Sequence, residues 1–468
     1  EKDRVSAIEM SGLNGGDGKA ITLDLLEGAV VDVGLNKNPE ISGIPVVELP
    51  DILNPRVISG SIYLGNGHIS LIFSETIDST PASKVNFSKF YLANITGDEQ
   101  IPLKESVVVK DDQTFVNFTV SEAARVQAIL IASQRGGDNT QIILDIGIGA
   151  FNDIAQNKND LMMSLKLEEH PDDIPPRLDS ANIDYNLGVL HLFINEILDL
   201  TPKSLFNLSN IFLNNNTDGG NIFNGFNLIG ADVVEVDSKT ITVTLTEAQR
   251  IAAIRMSATD GGDGTTAEVS LLADSMLDYS LLGNAATIGM RLNETSDNTA
   301  PIIISAKLEL GEGILTVKMN ETLDVSNILN IDLSKIYIAN DTQKVTAFDM
   351  TNCFNITVEA VDTDTFVIRL TEQDRVQAMY YGNSTIAGDG SPALVVFDAG
   401  AVFDIAGNRN DPASFPLLEI PDTIKPFTFS PTIYFGNGSL ELLASETLEL
   451  TPRSFFNDTK VIFRLRGV

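Results

Sequence analysis

The sequence is short of most residues on which site chemistry draws. Its 468 residues hold one Cys, no Trp and three His. A single Cys excludes an internal disulfide framework, and with it multi-cysteine zinc and iron–sulfur centres. His68, His170 and His191 are the only imidazoles, a thin stock of general bases. Basic charge is also scarce: 31 Lys and Arg against 64 Asp and Glu leave a formal charge of -33. Nucleic acid and anionic lipid would be repelled, and no basic patch compensates. No run of about 18 apolar residues could insert in a membrane, and EKDRVSAIEM at the start has no signal-peptide pattern. GxSxG, HExxH and P-loop motifs are missing, and GGDG lacks the Lys and helix of a phosphate cradle. No enzyme is expected. Disorder is excluded as well, because 43% of the chain is hydrophobic and only 20% is charged.

What the chain has is repetition. SEAARVQAI from Ser121 recurs as TEAQRIAAI from Thr246 and TEQDRVQAM from Thr371, and EKDRVSAI opens the chain. The Glu residues of this element, 1, 122, 247 and 372, are 121, 125 and 125 residues apart. HISLIFSETIDSTP returns as VLHLFINEILDLTP, ILTVKMNETLDVSN and LELLASETLELTP, and its Glu75, Glu196, Glu321 and Glu446 keep the same spacing. GGDG or a close variant follows each TExxR element. Next comes Asp-x-x-x-Asn: Asp32 with Asn36, Asp153 with Asn157, Asp404 with Asn408, and a looser Asp278 with Asn284. Asp-x-x-x-Pro then opens each unit, at Asp51, Asp172, Asp297 and Asp422. Complete units are therefore expected at 51–171, 172–296 and 297–421. Residues 1–50 read as the C-terminal part of one further unit and 422–468 as the N-terminal part of another. We expect the chain to be a window on a longer array.

Each unit reads as all-β. Ile69, Leu71 and Phe73 alternate with Ser70, Ile72 and Ser74, as do their counterparts in the next two units, which signals half-buried strands. KFYLAN, TFVNFTV, VQAILIAS and QIILDIGI read as further strands, with the TEAQR element as one short helical turn. Many short strands in some 120 residues, without amphipathic helices, predict a β-sandwich. FSETID with DIAQN and DIAGN, and the Asp-x-x-x-Pro junction, resemble bacterial-type Ig-like tandem domains of surface-layer proteins and adhesins, similar in architecture to cadherin repeats. The TExxR element and the loop LNNNTDGGNIFNGFN lie outside that pattern. The resemblance implies tandem Ig-like sandwiches of about 121–125 residues forming a rod, with an extracellular or cell-surface location.

Three sets of residues are candidates for function. Asn-x-Ser/Thr sequons occur at Asn86, Asn94, Asn117, Asn207, Asn215, Asn293, Asn320, Asn340, Asn355, Asn383, Asn437 and Asn457. That is roughly twice what composition supplies by chance, and it points to N-linked glycans. Glu75, Glu196, Glu321 and Glu446 continue the inward parity of their strands, so each needs a partner. One candidate is the TExxR arginine, Arg4, Arg125, Arg250 or Arg375. The other is Ca²⁺, with Asp153, Asp172, Asp297, Asp404 and Asp422 completing the shells. The resemblance favours calcium, since such arrays commonly stiffen linkers with it. Turn capping plus Glu–Arg pairing is the competing account. Cys353 is the third, a thiol that either sits buried and inert or bridges to another chain. The expected protein is a structural, self-associating subunit of a cell-surface filament or layer. A calcium-stiffened adhesin stalk and a surface-layer glycoprotein of a salt-adapted microbe are the alternatives.

Overall fold

The alternation in the HISLIFSE block becomes the central strand of a sandwich. In the second unit, strand 189–198 buries every other side chain along its whole length, Leu190, Leu192, Ile194, Glu196 and Leu198. The computed structural model describes residues 1–464 apart from 95–99, 109–111, 216–223, 326–329 and 356–361. Most of the loop LNNNTDGGNIFNGFN and the side chain of Asn355 therefore lie outside the described residues.

Three similar pairs of sheets follow one another. In the first, a five-stranded sheet runs in the order 168–170, 57–63, 68–73, 115–119 and 107–108, facing a four-stranded sheet of 162–166, 142–146, 90–94 and 100–102. The same order recurs around 189–198 and 314–323. Neighbouring strands are antiparallel with one exception: the last strand of each set pairs parallel with its first. Each sheet pair encloses its own apolar core, one from Val57 to Leu167, one from Leu178 to Leu292 and one from Ile303 to Leu417. The chain is thus all-β, in successive sandwiches. The opening hairpins turn at Gly67, Gly188 and Gly313, all at positive φ, a conformation that favours glycine.

The TExxR element departs from its expected form. It is a full α-helix: α1 (Lys2–Glu9), α2 (Glu122–Leu130), α3 (Glu247–Arg255) and α4 (Glu372–Tyr381). VQAILIAS is consequently not a strand; most of it forms the body of α2 and the turn after it. Ser121, Thr246 and Thr371 each cap the helix by accepting a backbone N–H, and Gln249 closes a reciprocal capping box with Thr246. Ala124, Ala128 and Ile129 are buried in α2, a spacing that fits one helix face. The apolar run suits strand or helix alike, and the cap decides between them.

Candidate functional site: the junction between units

Each helix delivers one arginine to the start of the next unit. Arg125 lies on the buried side of α2 with 3% of its surface exposed. Its Nη1 donates to the carbonyl of Leu64, in its own unit's first hairpin, at 3.0 Å. The same Nη1 donates to Asp172 Oδ2 at 2.9 Å and Nη2 to Glu196 Oε2 at 2.8 Å, both in the following unit. Glu122, one turn earlier, takes Nε and Nη2 at 2.9 and 2.7 Å, and its Oε1 also accepts from Ile197 N across the junction at 2.9 Å. The guanidinium therefore ties a helix, a hairpin, a linker and a neighbouring strand together.

The arrangement repeats at the other junctions. Arg4 meets Asp51 and Glu75 at 2.7 and 2.9 Å. Arg250 meets Asp297 and Glu321 at 2.6 and 3.4 Å, and Arg375 meets Asp422 and Glu446 at 2.8 and 3.2 Å. Glu1, Glu247 and Glu372 accept from Thr76, Thr322 and Thr447 N as Glu122 does from Ile197 N. Arginine is thus the partner of every inward strand-end Glu. The bridging role of the TExxR glutamate escaped the sequence reading, although its constant offset of three residues from Arg was visible.

A third carboxylate reaches three of these junctions. Asp51, Glu75 and Asp153 form one trio, Asp172, Glu196 and Asp278 a second, and Asp297, Glu321 and Asp404 a third, each offering ligand oxygens within 4.8 Å of one another. The third member comes from the Asp-x-x-x-Asn loop of the unit that follows the arginine. In two trios that Asp is satisfied: Asn157 Nδ2 donates to Asp153 Oδ2 at 2.8 Å and to the Asp51 carbonyl at 3.2 Å. Asn408 does the same for Asp404 and the Asp297 carbonyl at 2.8 and 3.1 Å.

The second trio differs, and the expected Asp278–Asn284 pairing is not formed. Leu282 occupies the position of Asn157 and Asn408, its N–H donating to Asp278 Oδ1 at 2.8 Å as theirs do to Asp153 and Asp404. Asn284 instead matches Asn159 and Asn410. Its Oδ1 accepts from Ser275 and Met276 N–H at 2.9 and 3.1 Å, and its Nδ2 donates to Leu272 and Ala285 carbonyls, closing the loop within the unit. Asp278 Oδ2 has no hydrogen-bond partner although the residue is 1% exposed.

Crowding of buried carboxylates shows in their proton affinities. Burial pushes Glu196 and Glu321 up to about 7, with neighbouring aspartates adding to the rise and Arg125 and Arg250 opposing it. Burial likewise raises Asp278 to about 6. Glu75, Asp153 and Asp404 are raised for the same reason. The arginines are pushed further toward their charged form by their glutamate and aspartate partners against the cost of burial.

The glycine turns after the helices form the other half of the junction. Gly136 sits at φ 90°, and a Cβ there would collide with the Tyr279 carbonyl of the next unit. Gly15 and Gly261 stand in the same relation to the carbonyls of Ile154 and Ile405. Tyr279 packs against the first core and Ile405 belongs to the second, so these two cores extend across their boundaries. Arg255 adds a salt bridge to Asp362 over the second boundary.

Sequon asparagines are spread over several environments. Asn86, Asn207, Asn293, Asn320, Asn383, Asn437 and Asn457 are exposed, while Asn117, Asn215 and Asn340 are half-buried. Asn94 is buried and donates to Asp138 Oδ2 at 3.2 Å. Asn86, Asn207 and Asn457 also cap short 3-10 turns, accepting the N–H of the sequon Ser or Thr. That repeated cap contributes to the number of sequons independently of any sugar. Cys353 is buried in the third core, its Sγ 3.5 Å from Asp374 Oδ2, and burial pushes the thiol up to about 12.

The fold and junctions define a class: successive two-sheet β-sandwiches joined by short, charge-bridged boundaries. No family model matches the sequence, and no curated protein is significantly similar to it. Among solved structures, the surface-layer protein rSbsC(31-844) aligns at 8% identity and a TM-score of 0.19, covering 84% of this chain and 63% of that one. SbsC domains 1–6 align at 8% identity and 0.19, over 84% and 58%. A titin fragment, A168169, aligns at 8% identity and 0.20, over 52% of this chain and all of that one. The alignments span less than two thirds of either SbsC chain. Among the described residues, no helix is long and apolar enough to cross a membrane.

Proposed function

We propose that this chain is a structural, non-enzymatic extracellular glycoprotein, a rod of Ig-like units at 51–171, 172–296 and 297–421 that assembles with copies of itself at a cell surface. The arginine-centred junction carries this reading. One buried guanidinium binds two units at once, and the same residues do so at every boundary. Short linkers fixed by such contacts hold neighbours at a set angle, as a rod under tension or a layer-forming rod requires. Repetition of identical faces then suits lateral or head-to-tail association. The exposed sequons would carry N-linked glycans that shield sheet edges.

Small-angle scattering on the chain should give an extended particle, light scattering a concentration-dependent mass, and mass spectrometry of the secreted protein glycan masses at Asn207, Asn293 and Asn383. A compact, strictly monomeric and unglycosylated protein would sink the proposal.

A further inference from the structure

We propose that N-linked glycans sit on Asn86 and Asn207, at the same turn of the first two units, and that the equally recurrent sequons at Asn94 and Asn215 stay bare. This rests on the glycoprotein reading above and assigns its sugars to particular atoms. Both sets follow the repeat: Asn86 and Asn207 are 121 residues apart, as are Asn94 and Asn215. What separates them is the side-chain nitrogen that would carry the sugar.

At the first set only the amide oxygen is engaged. Asn86 Oδ1 accepts from Ser88 N–H at 3.2 Å and from Ser88 Oγ at 2.6 Å, and Asn207 Oδ1 accepts from Ser209 in the same way at 3.1 and 2.6 Å. Both residues are exposed, and among the described residues neither Nδ2 has an acceptor. Attachment forms a bond from Nδ2 to the anomeric carbon of a glycosyl diphosphate donor as that carbon's bond to the diphosphate oxygen breaks. Nδ2 loses one proton and the diphosphate leaves with the bonding pair. Oδ1 is untouched, so the turn keeps its cap.

At the second set the nitrogen is spent. Asn215 Nδ2 donates to the Met256 carbonyl at 3.2 Å and to Asp263 Oδ2 at 2.6 Å, which takes up both of its hydrogens. Asn94 is buried, and its Nδ2 donates to Asp138 Oδ2 at 3.2 Å. Asp138 and Asp263 in turn hold the glycine turns after α2 and α3, accepting from Thr140 and Thr265 N–H at 2.8 Å each. A sugar here would break contacts that the fold uses.

The cap alone does not account for asparagine at the first set. In the third unit Asp332 holds this position and accepts from Ser334 N–H and Oγ at 3.2 and 2.6 Å, as Asn86 does from Ser88. Aspartate caps as well as asparagine, and the chain has 64 acidic residues. The amide nitrogen at 86 and 207 is therefore surplus to the turn and available for attachment. The third unit keeps the turn and lacks the nitrogen.

The full chain, secreted from a eukaryotic host and treated with peptide-N-glycosidase in heavy-oxygen water, should show labelled peptides at Asn86 and Asn207 and none at Asn94 and Asn215. Asp332→Asn completes an Asn-Leu-Ser sequon and should add one glycan to the third unit. Asn86→Asp should remove one glycan, while circular dichroism and the melting temperature of the deglycosylated protein stay unchanged because the cap keeps its acceptor. Sugar on Asn94 or Asn215 of the folded protein overturns the assignment, as does an Asp332→Asn chain that gains none. Sugar at Asn293 or Asn383 with Asn86 and Asn207 bare also overturns it, and leaves the glycoprotein reading standing. A secreted chain with no sugar at any sequon overturns both.

Discussion

At the residue scale, the junction arginines carry the most consequence. Arg250 is buried among Glu247, Asp297 and Glu321, so Arg250→Met leaves carboxylates together with no cation. Breaking a buried pair in this way costs about 3–5 kcal/mol, and calorimetry should register the loss in the second and third units. The glutamate beside each arginine responds to acid. The hydrogen bond from Arg375 holds Glu372 at about 2, below its ordinary 4.5. A depressed carboxylate favours the folded state above its unfolded pKa, so this stabilisation is present above about pH 4.5 and fades as the pH falls toward 2. Glu372→Gln should flatten that part of the melting-temperature profile. Cys353 makes a simpler case: with the thiol buried and its pKa near 12, iodoacetamide at neutral pH should label it only after unfolding. Rapid labelling of the native chain would contradict the packing described.

At the element scale, the helix and the turn after it act as a coupling. Thr246→Ala removes the hydroxyl that accepts from Gln249 N–H and leaves the backbone N–H of residue 246 donating to Gln249 Oε1, a loss of about 0.5–2 kcal/mol measurable by denaturant titration. These elements also mark where the sequence was hard to read. Strands such as 189–198 were legible because burial on one face imposes a period of two on every side chain. VQAILIAS has no such alternation, since α2 and the turn after it bury adjacent pairs, Ala128 with Ile129 and Ile131 with Ala132. The arginine partner of each strand-end Glu was one of two candidates, because charge and inward parity were visible while distance was not. The loop of the second unit misled through its Asn284, which resembles the motif Asn but serves another turn. Counting a fixed four residues from Asp278 arrives at Leu282, which meets Asp278 through its backbone N–H alone.

At the scale of the whole molecule, the boundaries determine whether the sandwiches melt together or apart. Gly136→Ala introduces a Cβ at positive φ against the Tyr279 carbonyl, a clash that forces the turn and the next unit apart. Calorimetry should then resolve an additional transition, with the first core losing its packing against Tyr279. A single unchanged transition would show that the turn does not couple neighbours. Stability along such an array is a sum of unit and interface contributions, so defects at one boundary should leave distant units at their original melting temperature.

The parallel pairing of each unit's first and last strands has a mechanical meaning. Residues 168–170 run alongside 61–63, and 293–295 alongside 182–184. The entering and leaving ends of the chain therefore point in opposite directions along one ladder. Tension applied through the linkers drags the two strands past each other, and their hydrogen bonds are loaded simultaneously instead of peeling one after another. A pull on the chain is met first by shear.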